Sequence, residues 1–312
     1  MTYAPVLLFV YNRPEHTRHT VEALARNTCA PSSDLVIYSD APRKPETAAA
    51  VQEVRRYIRT IAGFASVTIV ERSGNLGLAN SIIDGVSQYC RERGRAIVVE
   101  DDLLTSPYFL EYMNNALTRY EHEPRVMQVA GYMFPVRLSI SEDALLLPFV
   151  TSWGWATWER AWQHFDPDAK GYHQLEKDRR QRRRFDLDGH YRYFRMLRAQ
   201  RKGTADSWAI RWYLSVFLRE GLVLFPAKSL VRNLGFDGSG VNCAVSEFKQ
   251  DDLDPQFRVT TMPDVVAVSP AFDRVRRGMS PRLSPASILK RLQGASRRAL
   301  GAARTALGAS HE

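Results

Sequence analysis

The chain has 312 residues, of which 45% are hydrophobic and 25% charged, a composition typical of soluble globular proteins rather than disordered or fibrous ones. It has no run of 18 apolar residues, and its first residues lack the basic segment of a signal peptide, so the sequence predicts neither a transmembrane helix nor secretion. Its three widely spaced cysteines suit neither a disulfide framework nor a zinc site, and we therefore expect a cytoplasmic protein.

The net charge of +9 comes from the C-terminal segment. Nine Lys and Arg lie between Arg274 and Arg304 without an acidic residue, and without them 34 basic residues face 34 acidic ones. A neutral body argues against a nucleic-acid-binding protein. In 285–308, apolar residues near helical spacing alternate with basic ones, which predicts an amphipathic helix on an anionic membrane, peripheral on its inner face. A solvated or disordered basic tail is the alternative. A second basic cluster, Lys177–Arg184, could meet an anionic acceptor or form a solvated helix face.

The first 130 residues alternate predicted strands and helices. The strands are Val6–Val10, Asp34–Tyr38, Ser66–Val70 and one ending at Glu100, and the helices are about Glu15–Arg26, Pro45–Thr60, Leu78–Arg91 and one starting near Pro107. This alternation predicts an α/β fold with a mostly parallel sheet flanked by helices. No GxGxxG motif follows the first strand and no GxxxxGK[ST] motif occurs, which disfavours a dinucleotide-binding or P-loop protein.

Three consecutive carboxylates, Glu100-Asp101-Asp102, follow an apolar run. Carboxylates at the rim of a core must be hydrogen-bonded, ion-paired or bound to a metal. We therefore predict a divalent-cation site, with a solvated surface triplet as the alternative. Ligands of parallel sheets bind beyond the carboxyl ends of the strands, and other polar segments lie at these ends: Asn12-Arg13-Pro14, Ser39-Asp40 and Arg72-Ser73-Gly74-Asn75.

Four tryptophans lie close together in the second half of the chain. Trp155, Trp158 and Trp162 are at helical spacing and are predicted to be mostly core, whereas Trp153 is the better candidate for a pocket wall.

Two further segments of the second half are candidate functional elements. A helix is predicted over Asp206–Arg219, with core candidates Trp208, Trp212, Leu214 and Val216. Asp206 at its start is either its N-cap or a functional carboxylate. The segment Arg232–Asn242 contains three glycines and could contact phosphates or close as a lid.

The order of these segments resembles nucleotide-sugar glycosyltransferases of GT-A fold, in particular the N-acetylglucosaminyltransferase I family and related bacterial sugar transferases. The resemblance spans roughly residues 5–250, and its most specific part is the Glu100-Asp101-Asp102 segment with the helix after it. Residues 72–80 are closer to family 2 glycosyltransferases. The expected organisation is a nucleotide-sugar-binding half (1–132), an acceptor and catalytic half of the same domain (133–272), and a basic tail (273–312).

The resemblance also implies a role for each matched residue. Asp102 would coordinate Mn²⁺ or Mg²⁺, Glu100 and Asp101 would hold the sugar and ribose, and Asp206 would be the catalytic base. Glu159 and Asp237 are rival carboxylates for the base. The other expected donor contacts are Arg13 (alternatively a surface salt bridge), Asp40 at the uracil ring, Asn75, Trp153, and, as second-tier phosphate contacts, Arg232 and Ser239.

The implied function is a metal-dependent, inverting glycosyltransferase. Its donor would be a UDP-sugar, with UDP-GlcNAc as the candidate, and its acceptor a glycan or lipid-linked saccharide in bacterial surface polysaccharide synthesis. A sugar-nucleotide nucleotidyltransferase is one alternative, but such enzymes normally carry an N-terminal glycine-rich phosphate loop, and none follows Val10. The other is a non-catalytic nucleotide-sugar-binding protein at a membrane surface, which would not explain the carboxylate cluster.

Overall fold

The computed structural model describes residues 3–237 and 250–279. Met1–Gly278 is one compact unit and Met279–Glu312 is another, of which only Met279 is described. The predictions for Ser239 and for the amphipathic segment 285–308 lie outside the described residues. No helix in the described ranges is long and apolar enough to span a bilayer.

The first half alternates strands and helices, as predicted. Its elements are β1 (Val6–Val10), α1 (Pro14–Ala25), β2 (Asp34–Ser39), α2 (Ala48–Ile58), β3 (Ser66–Glu71), α3 (Leu78–Arg93) and β4 (Arg95–Glu100). The four strands are parallel and lie in the order β3-β2-β1-β4. The predicted α/β class and the parallel pairing of this half are confirmed.

Burial explains why these segments become strands. All five residues of β1 and the four central residues of β4 are buried. A strand covered on both faces reads as a continuous apolar run, which is the pattern of both sequences. β3 lies at the sheet edge and is mostly half-exposed or exposed, and its sequence includes Ser66, Thr68 and Glu71.

The second half extends the sheet with strands of mixed direction. Its elements are β5 (Leu103–Thr105), α4 (Phe109–Arg119), β6 (Val126–Ala130), β7 (Ala144–Leu147), β8 (Trp155–Trp158), α5 (Glu159–Trp162), α6 (Tyr172–Lys177), α7 (Arg179–Phe185), α8 (Tyr193–Arg201), α9 (Trp208–Leu218), β9 (Leu222–Pro226), β10 (Val231–Asn233) and α10 (Phe272–Gly278). The sheet continues from β4 in the order β8-β6-β9-β7, with β8 antiparallel to β4 and β6. β5 and β10 form a separate antiparallel pair.

The helical spacing of the tryptophans indicates the wrong local structure for Trp155 and Trp158, but the predicted burial of these side chains is confirmed. Trp155 and Trp158 lie on β8, because pairing with β4 and β6 determines the conformation of this segment. Trp162 lies on the short α5. Trp155 stacks on Trp208 with ring centroids 4.8 Å apart, so these side chains join β8 to α9.

Candidate active site

The polar segments predicted at the strand ends meet at one edge of the sheet. β1 to β4 are parallel, so the residues following each strand lie on the same side. They surround a cavity of about 290 Å³, called here the smaller cavity. Among its lining residues are Asn12 and Arg13 after β1, Asp40 after β2, Asn75 after β3, and Glu100, Asp101 and Asp102 at the end of β4.

Arg13 forms a largely buried ion pair with two acids of the triplet. Its Nη2 donates to Asp101 Oδ1 and, at 3.0 Å, to Asp102 Oδ2. The Arg13 side chain is only 18% exposed, so this ion pair lies below the surface rather than on it, and a contact of Arg13 with the nucleotide stays a prediction. The guanidinium therefore fixes the positions of both carboxylates beside the smaller cavity.

The acid cluster has too little positive charge for its three carboxylates. Burial, together with the charges of Asp102 and Asp101, raises the pKa of Glu100 to about 8, although Arg13 lowers it. Burial also raises the pKa of Asp101, against the opposing effect of Arg13. A raised carboxyl pKa means that the charged form lacks compensation, so an added cation would favour the ionised cluster.

A divalent cation fits one carboxylate oxygen of this cluster. Asp102 Oδ1 is buried and has no hydrogen-bond partner, which is rare for a buried polar atom. In residues 3–237 and 250–279, no group of three or more His, Cys, Asp or Glu side chains could hold a metal ion. A cation at Asp102 would therefore take most of its ligands from outside the protein, as Mg²⁺ often does from phosphates and water.

β10 and the residues after it pack against Asp102. Leu234 N donates to Asp102 O at 2.7 Å, and a Cβ added at Gly235 would collide with Asp102 Oδ2. Asn233 is buried, and its Oδ1 accepts from Gly235 N at 2.6 Å. Asn233 thus belongs to the site, although sequence reasoning missed it. The signal in the sequence was its place in the glycine-containing segment Arg232–Asn242, where Gly235 allows this close approach.

The structure does not bring Arg232 into the site. Successive strand residues point to opposite faces, so Asn233 faces inward while Arg232 is exposed and pairs with Asp252 Oδ1 at 2.8 Å. Its role in phosphate binding stays a prediction.

Asp40 fastens the loop between β3 and α3 to the end of β2. Its Oδ1 accepts from the backbone N–H groups of Ala41 (3.0 Å) and Leu76 (2.9 Å), and its Oδ2 from that of Gly77 (2.8 Å). Asn75 adds a bond from its Nδ2 to Ala41 O at 2.7 Å. Both predicted donor contacts therefore line the smaller cavity and also shape it.

Replacing Asp40 by alanine is expected to lower the free energy of unfolding by about 3 kcal/mol, because two loop N–H groups lose a buried, charged acceptor. Urea denaturation measures this change. The control Asp168→Ala removes an exposed acid, 3.5 Å from Lys170 Nζ, and should change stability by less than about 0.5 kcal/mol. Equal stability of the two variants would contradict the anchoring role of Asp40.

A second, larger cavity of about 540 Å³ adjoins the acid cluster and is lined largely by aromatic side chains. These are Tyr132, Phe134, Trp153, Tyr191, Tyr193, Trp208, Tyr213 and Phe236. Two hydroxyls of lining residues, Tyr132 OH and Thr151 Oγ1, are buried and have no hydrogen-bond partner in the described parts of the chain. Aromatic walls with polar groups between them suit a ligand that has apolar faces and hydroxyl groups.

Trp153 lies in a cavity wall, as the sequence predicted, but it lines the larger cavity and not the smaller one that the other expected donor contacts line. Its ring meets Tyr132 edge-on at 4.4 Å and Phe236 at 5.3 Å. The following Gly154 has φ of +57°, and a Cβ there would lie 2.9 Å from Val231 Cγ1. Glycine suits this position because residues with a side chain rarely adopt a left-handed φ, and because a Cβ would crowd the Val231 side chain of β10.

Five residues line both cavities. They are Leu78 and Ala79 at the start of α3, together with Glu100, Asp102 and Asp206. The acid cluster and Asp206 therefore lie where the two cavities meet.

Asp206 precedes α9 and is not its N-cap. The N-cap is Ser207, whose Oγ accepts from Ile210 N, so this alternative for Asp206 is wrong. Asp206 Oδ1 accepts from Arg211 Nη2 at 2.8 Å, and the Arg211 side chain is only 8% exposed while that of Asp206 is 60% exposed. A buried guanidinium thus holds a solvent-accessible carboxylate at the meeting point of the cavities.

The rival carboxylate Glu159 lies elsewhere. Its backbone N donates to Gly94 O at 2.8 Å, at the opposite end of β4 from Glu100. The side chain of Asp237 is outside the described part of the structure. Among the three candidates for the base, the structure therefore places Asp206 beside the acid cluster.

The basic cluster Lys177–Arg184 lies on α6 and α7, near the wall of the larger cavity. Four of its five arginines are exposed, and the Arg182 guanidinium lies over the Phe194 ring of α8 at 5.2 Å. α8 supplies Tyr193 and Met196 to the cavity wall. Both interpretations of the cluster, an anionic acceptor or a solvated face, stay open.

Comparison with known proteins finds similarity only among solved structures. No protein-family model and no curated protein matches the chain. A mannosyltransferase from Pyrobaculum calidifontis, in complex with GDP-Man and Mn²⁺, is 19% identical with a TM-score of 0.35, over 50% of this chain and 45% of that one. TarS of S. aureus is 12% identical with a TM-score of 0.41, over 73% of this chain and 36% of TarS.

Mouse xyloside xylosyltransferase 1 in its apo form is 11% identical, with a TM-score of 0.37, over 70% of this chain and 82% of that one. The chain thus spans less than half the length of the mannosyltransferase and of TarS. Because all three TM-scores lie below 0.5, the function proposed below rests on the residues of the site itself.

Proposed function

We propose that this chain is a GT-A-type nucleotide-sugar glycosyltransferase that inverts the configuration of the transferred sugar. The observation that carries the proposal is the meeting of two cavities at Glu100, Asp102 and Asp206. A transferase of this kind needs a donor site and an acceptor site that open onto one reacting centre. Carboxylates at that centre can serve as a cation ligand and as a base.

The smaller cavity is the proposed donor site, and the donor is a UDP-sugar, with UDP-GlcNAc as the first candidate. Asp40 and Asn75 line the base-binding end, and their bonds to the loop before α3 support a fixed shape there. Glu100 and Asp101 face the sugar and ribose. Arg13 holds Asp101 and Asp102 in position and offers its remaining N–H groups to the nucleotide.

Asp102 is the proposed ligand of Mn²⁺ or Mg²⁺, which would neutralise negative charge on the departing diphosphate. The unpartnered Asp102 Oδ1 and the excess of carboxylates over positive groups support this assignment. Because the protein supplies few ligands, we expect cation binding and nucleotide binding to strengthen each other.

Asp206 is the proposed general base. It would remove the proton from the acceptor hydroxyl as that hydroxyl attacks the anomeric carbon opposite the leaving nucleotide. The exposure of its carboxylate to both cavities supports this role, and Arg211 fixes its orientation.

The larger cavity is the proposed site of the acceptor, a glycan or lipid-linked saccharide. Pyranose rings have apolar faces that pack on aromatic side chains, and the walls carry Trp153 and Tyr132. The two unpartnered hydroxyls of Tyr132 and Thr151 are the candidate partners for sugar hydroxyl groups. Synthesis of a bacterial surface polysaccharide is the proposed setting.

A panel of nucleotide sugars with varied saccharide acceptors, assayed with and without Mn²⁺, tests the proposal. We expect release of UDP that depends on both the acceptor and the cation. Consumption of a nucleoside triphosphate with release of pyrophosphate would instead indicate a nucleotidyltransferase. Binding of UDP-sugar without turnover across the panel would favour a non-catalytic binding protein.

The C-terminal segment is the proposed membrane contact, at the inner face of the membrane. Truncation before Ser284 is expected to abolish sedimentation with anionic lipid vesicles, because it removes the amphipathic sequence 285–308 and five positive charges. Vesicles of neutral lipid are the control. Unchanged sedimentation of the truncated chain would show that the tail does not bind the membrane.

A further inference from the structure

The N-terminus of α3 lies at the point where the two cavities meet. Leu78 and Ala79, its first two residues, line both cavities, and Gly77 and Ser81 line the smaller one. If the nucleoside occupies the smaller cavity and the acceptor the larger one, the diphosphate must pass this point. This placement rests on the proposed function.

The first turn of α3 contains backbone N–H groups that have no hydrogen-bond acceptor within the described residues. The Asp40 carboxylate accepts hydrogen bonds from the N–H groups of Leu76 and Gly77, just before the helix. The first bond of the helix itself runs from Ser81 N to Gly77 O at 3.0 Å. Within the described residues, the N–H groups of Leu78, Ala79 and Asn80 have no partner, and no side chain caps the helix. Free N–H groups and the helix dipole together attract anions.

Ser81 is a second, independent observation at the same place. The residue is 5% exposed, and its Oγ is buried without a hydrogen-bond partner. A serine inside a helix can satisfy itself by donating to the carbonyl four residues earlier, yet Ser81 does not. A buried hydroxyl left unpaired in the wall of a cavity indicates a missing partner.

The charges where the two cavities meet indicate which kind of ligand the first turn of α3 can bind. The other polar groups at the meeting point are carboxylates, Glu100, Asp102 and Asp206, which repel an anion. An anionic ligand there needs donors on its other side, and the first turn of α3 provides N–H groups and one hydroxyl. A phosphate between the cation at Asp102 and the start of α3 would satisfy both sides.

We propose that the first turn of α3, through the N–H groups of Leu78, Ala79 and Asn80 and the Ser81 hydroxyl, binds the diphosphate of the donor nucleotide. Ser81 is thus a ligand-binding residue. The turn holds the phosphates in place as the sugar bond breaks, and hydrogen bonds from N–H and O–H groups stabilise the added negative charge on the leaving group.

The test compares UDP with uridine in the presence of Mn²⁺. Ser81→Ala is expected to weaken UDP binding roughly tenfold or more, the usual effect of losing a hydrogen bond to a charged group. Uridine, which lacks phosphate, should bind equally to both proteins. Isothermal titration calorimetry measures the affinity for UDP, and competition of uridine with UDP in the same titration measures the affinity for uridine. The variant should be at least as stable as the wild type, because it removes an unsatisfied hydroxyl.

Ser87→Ala is the matched control on the same helix. The Ser87 Oγ accepts from Trp162 Nε1 at 2.9 Å, so this variant should lose stability and keep its UDP affinity. A second variant, Leu78→Pro, removes one N–H at the first helical position, where proline is tolerated. Gly77 precedes it with ψ of 158°, which suits the residue before a proline. Leu78→Pro should also weaken UDP and not uridine.

Unchanged UDP affinity of Ser81→Ala, or equal weakening of UDP and uridine, would overturn the phosphate assignment and leave the proposed function standing. Failure of the wild-type protein to bind UDP or GDP with Mn²⁺ would instead overturn the nucleotide-sugar function, and this inference with it.

Discussion

Replacing Asp206 by asparagine is expected to reduce turnover by about 10² to 10⁴, the usual contribution of a general base. Asparagine keeps the shape of the side chain and an oxygen that can still accept from Arg211, so the buried guanidinium stays paired. The affinity for the nucleotide sugar should not change, because residue 206 lies beside the donor but is not proposed to bind it. Steady-state kinetics and donor titration separate the two quantities.

Glu159→Gln is the matched control for Asp206→Asn. Glu159 is an exposed carboxylate at the opposite end of β4, and its loss should leave turnover within about twofold of the wild type. Near-normal turnover of Asp206→Asn would move the base to another carboxylate, with Asp237 the next to test. Loss of donor affinity in Asp206→Asn would show that Asp206 binds the donor.

Replacing Asp102 by alanine is expected to abolish the dependence of UDP binding on Mn²⁺. The variant removes the oxygen that has no other partner, while Arg13 keeps its bond to Asp101, so the fold around the cluster should survive. Titration of UDP with Mn²⁺ and with EDTA gives the comparison. The wild type should bind UDP more tightly with Mn²⁺ than with EDTA. The variant should bind UDP equally weakly under the two conditions.

Asp34→Asn is the control for the Asp102 variant. Asp34 begins β2, at the opposite end of the parallel strands from the acid cluster, and its carboxylate accepts from Ser66 Oγ at 2.6 Å. Its replacement should therefore leave the Mn²⁺ dependence of UDP binding intact. UDP affinity that still rises with Mn²⁺ in Asp102→Ala would rule out Asp102 as the cation ligand.

The strand ends could be predicted from the sequence because their chemistry is local. Glu100 follows a buried run, and alternation of strands and helices makes neighbouring strands parallel, so the polar residues after β1 to β4 must share one edge. This reasoning predicts that Arg13, Asp40, Asn75 and the acid triplet lie together, and in the structure all of them line one cavity.

The second half shows where local patterns fail. Trp155, Trp158 and Trp162 repeat at helical spacing, but pairing with strands distant in sequence makes Trp155–Trp158 an extended segment. Asp206 has the residue type of an N-cap, yet Ser207 takes that role. Arg232 and Asn233 are neighbours in sequence, but the alternation of β10 sends only Asn233 into the site.

The amino-acid sequence was enough to predict the α/β class, the side of the sheet on which the polar residues gather, and a cluster of acids that needs a positive partner. These follow from hydrophobic periodicity and from the high free energy of a buried, uncompensated charge. Three features became visible only in the folded chain: Asp206 lies beside this cluster, the aromatic residues form a second cavity, and the first turn of α3 lines both cavities. Such contacts join residues far apart in the chain, and they depend on how helices pack on the sheet, which no local pattern records.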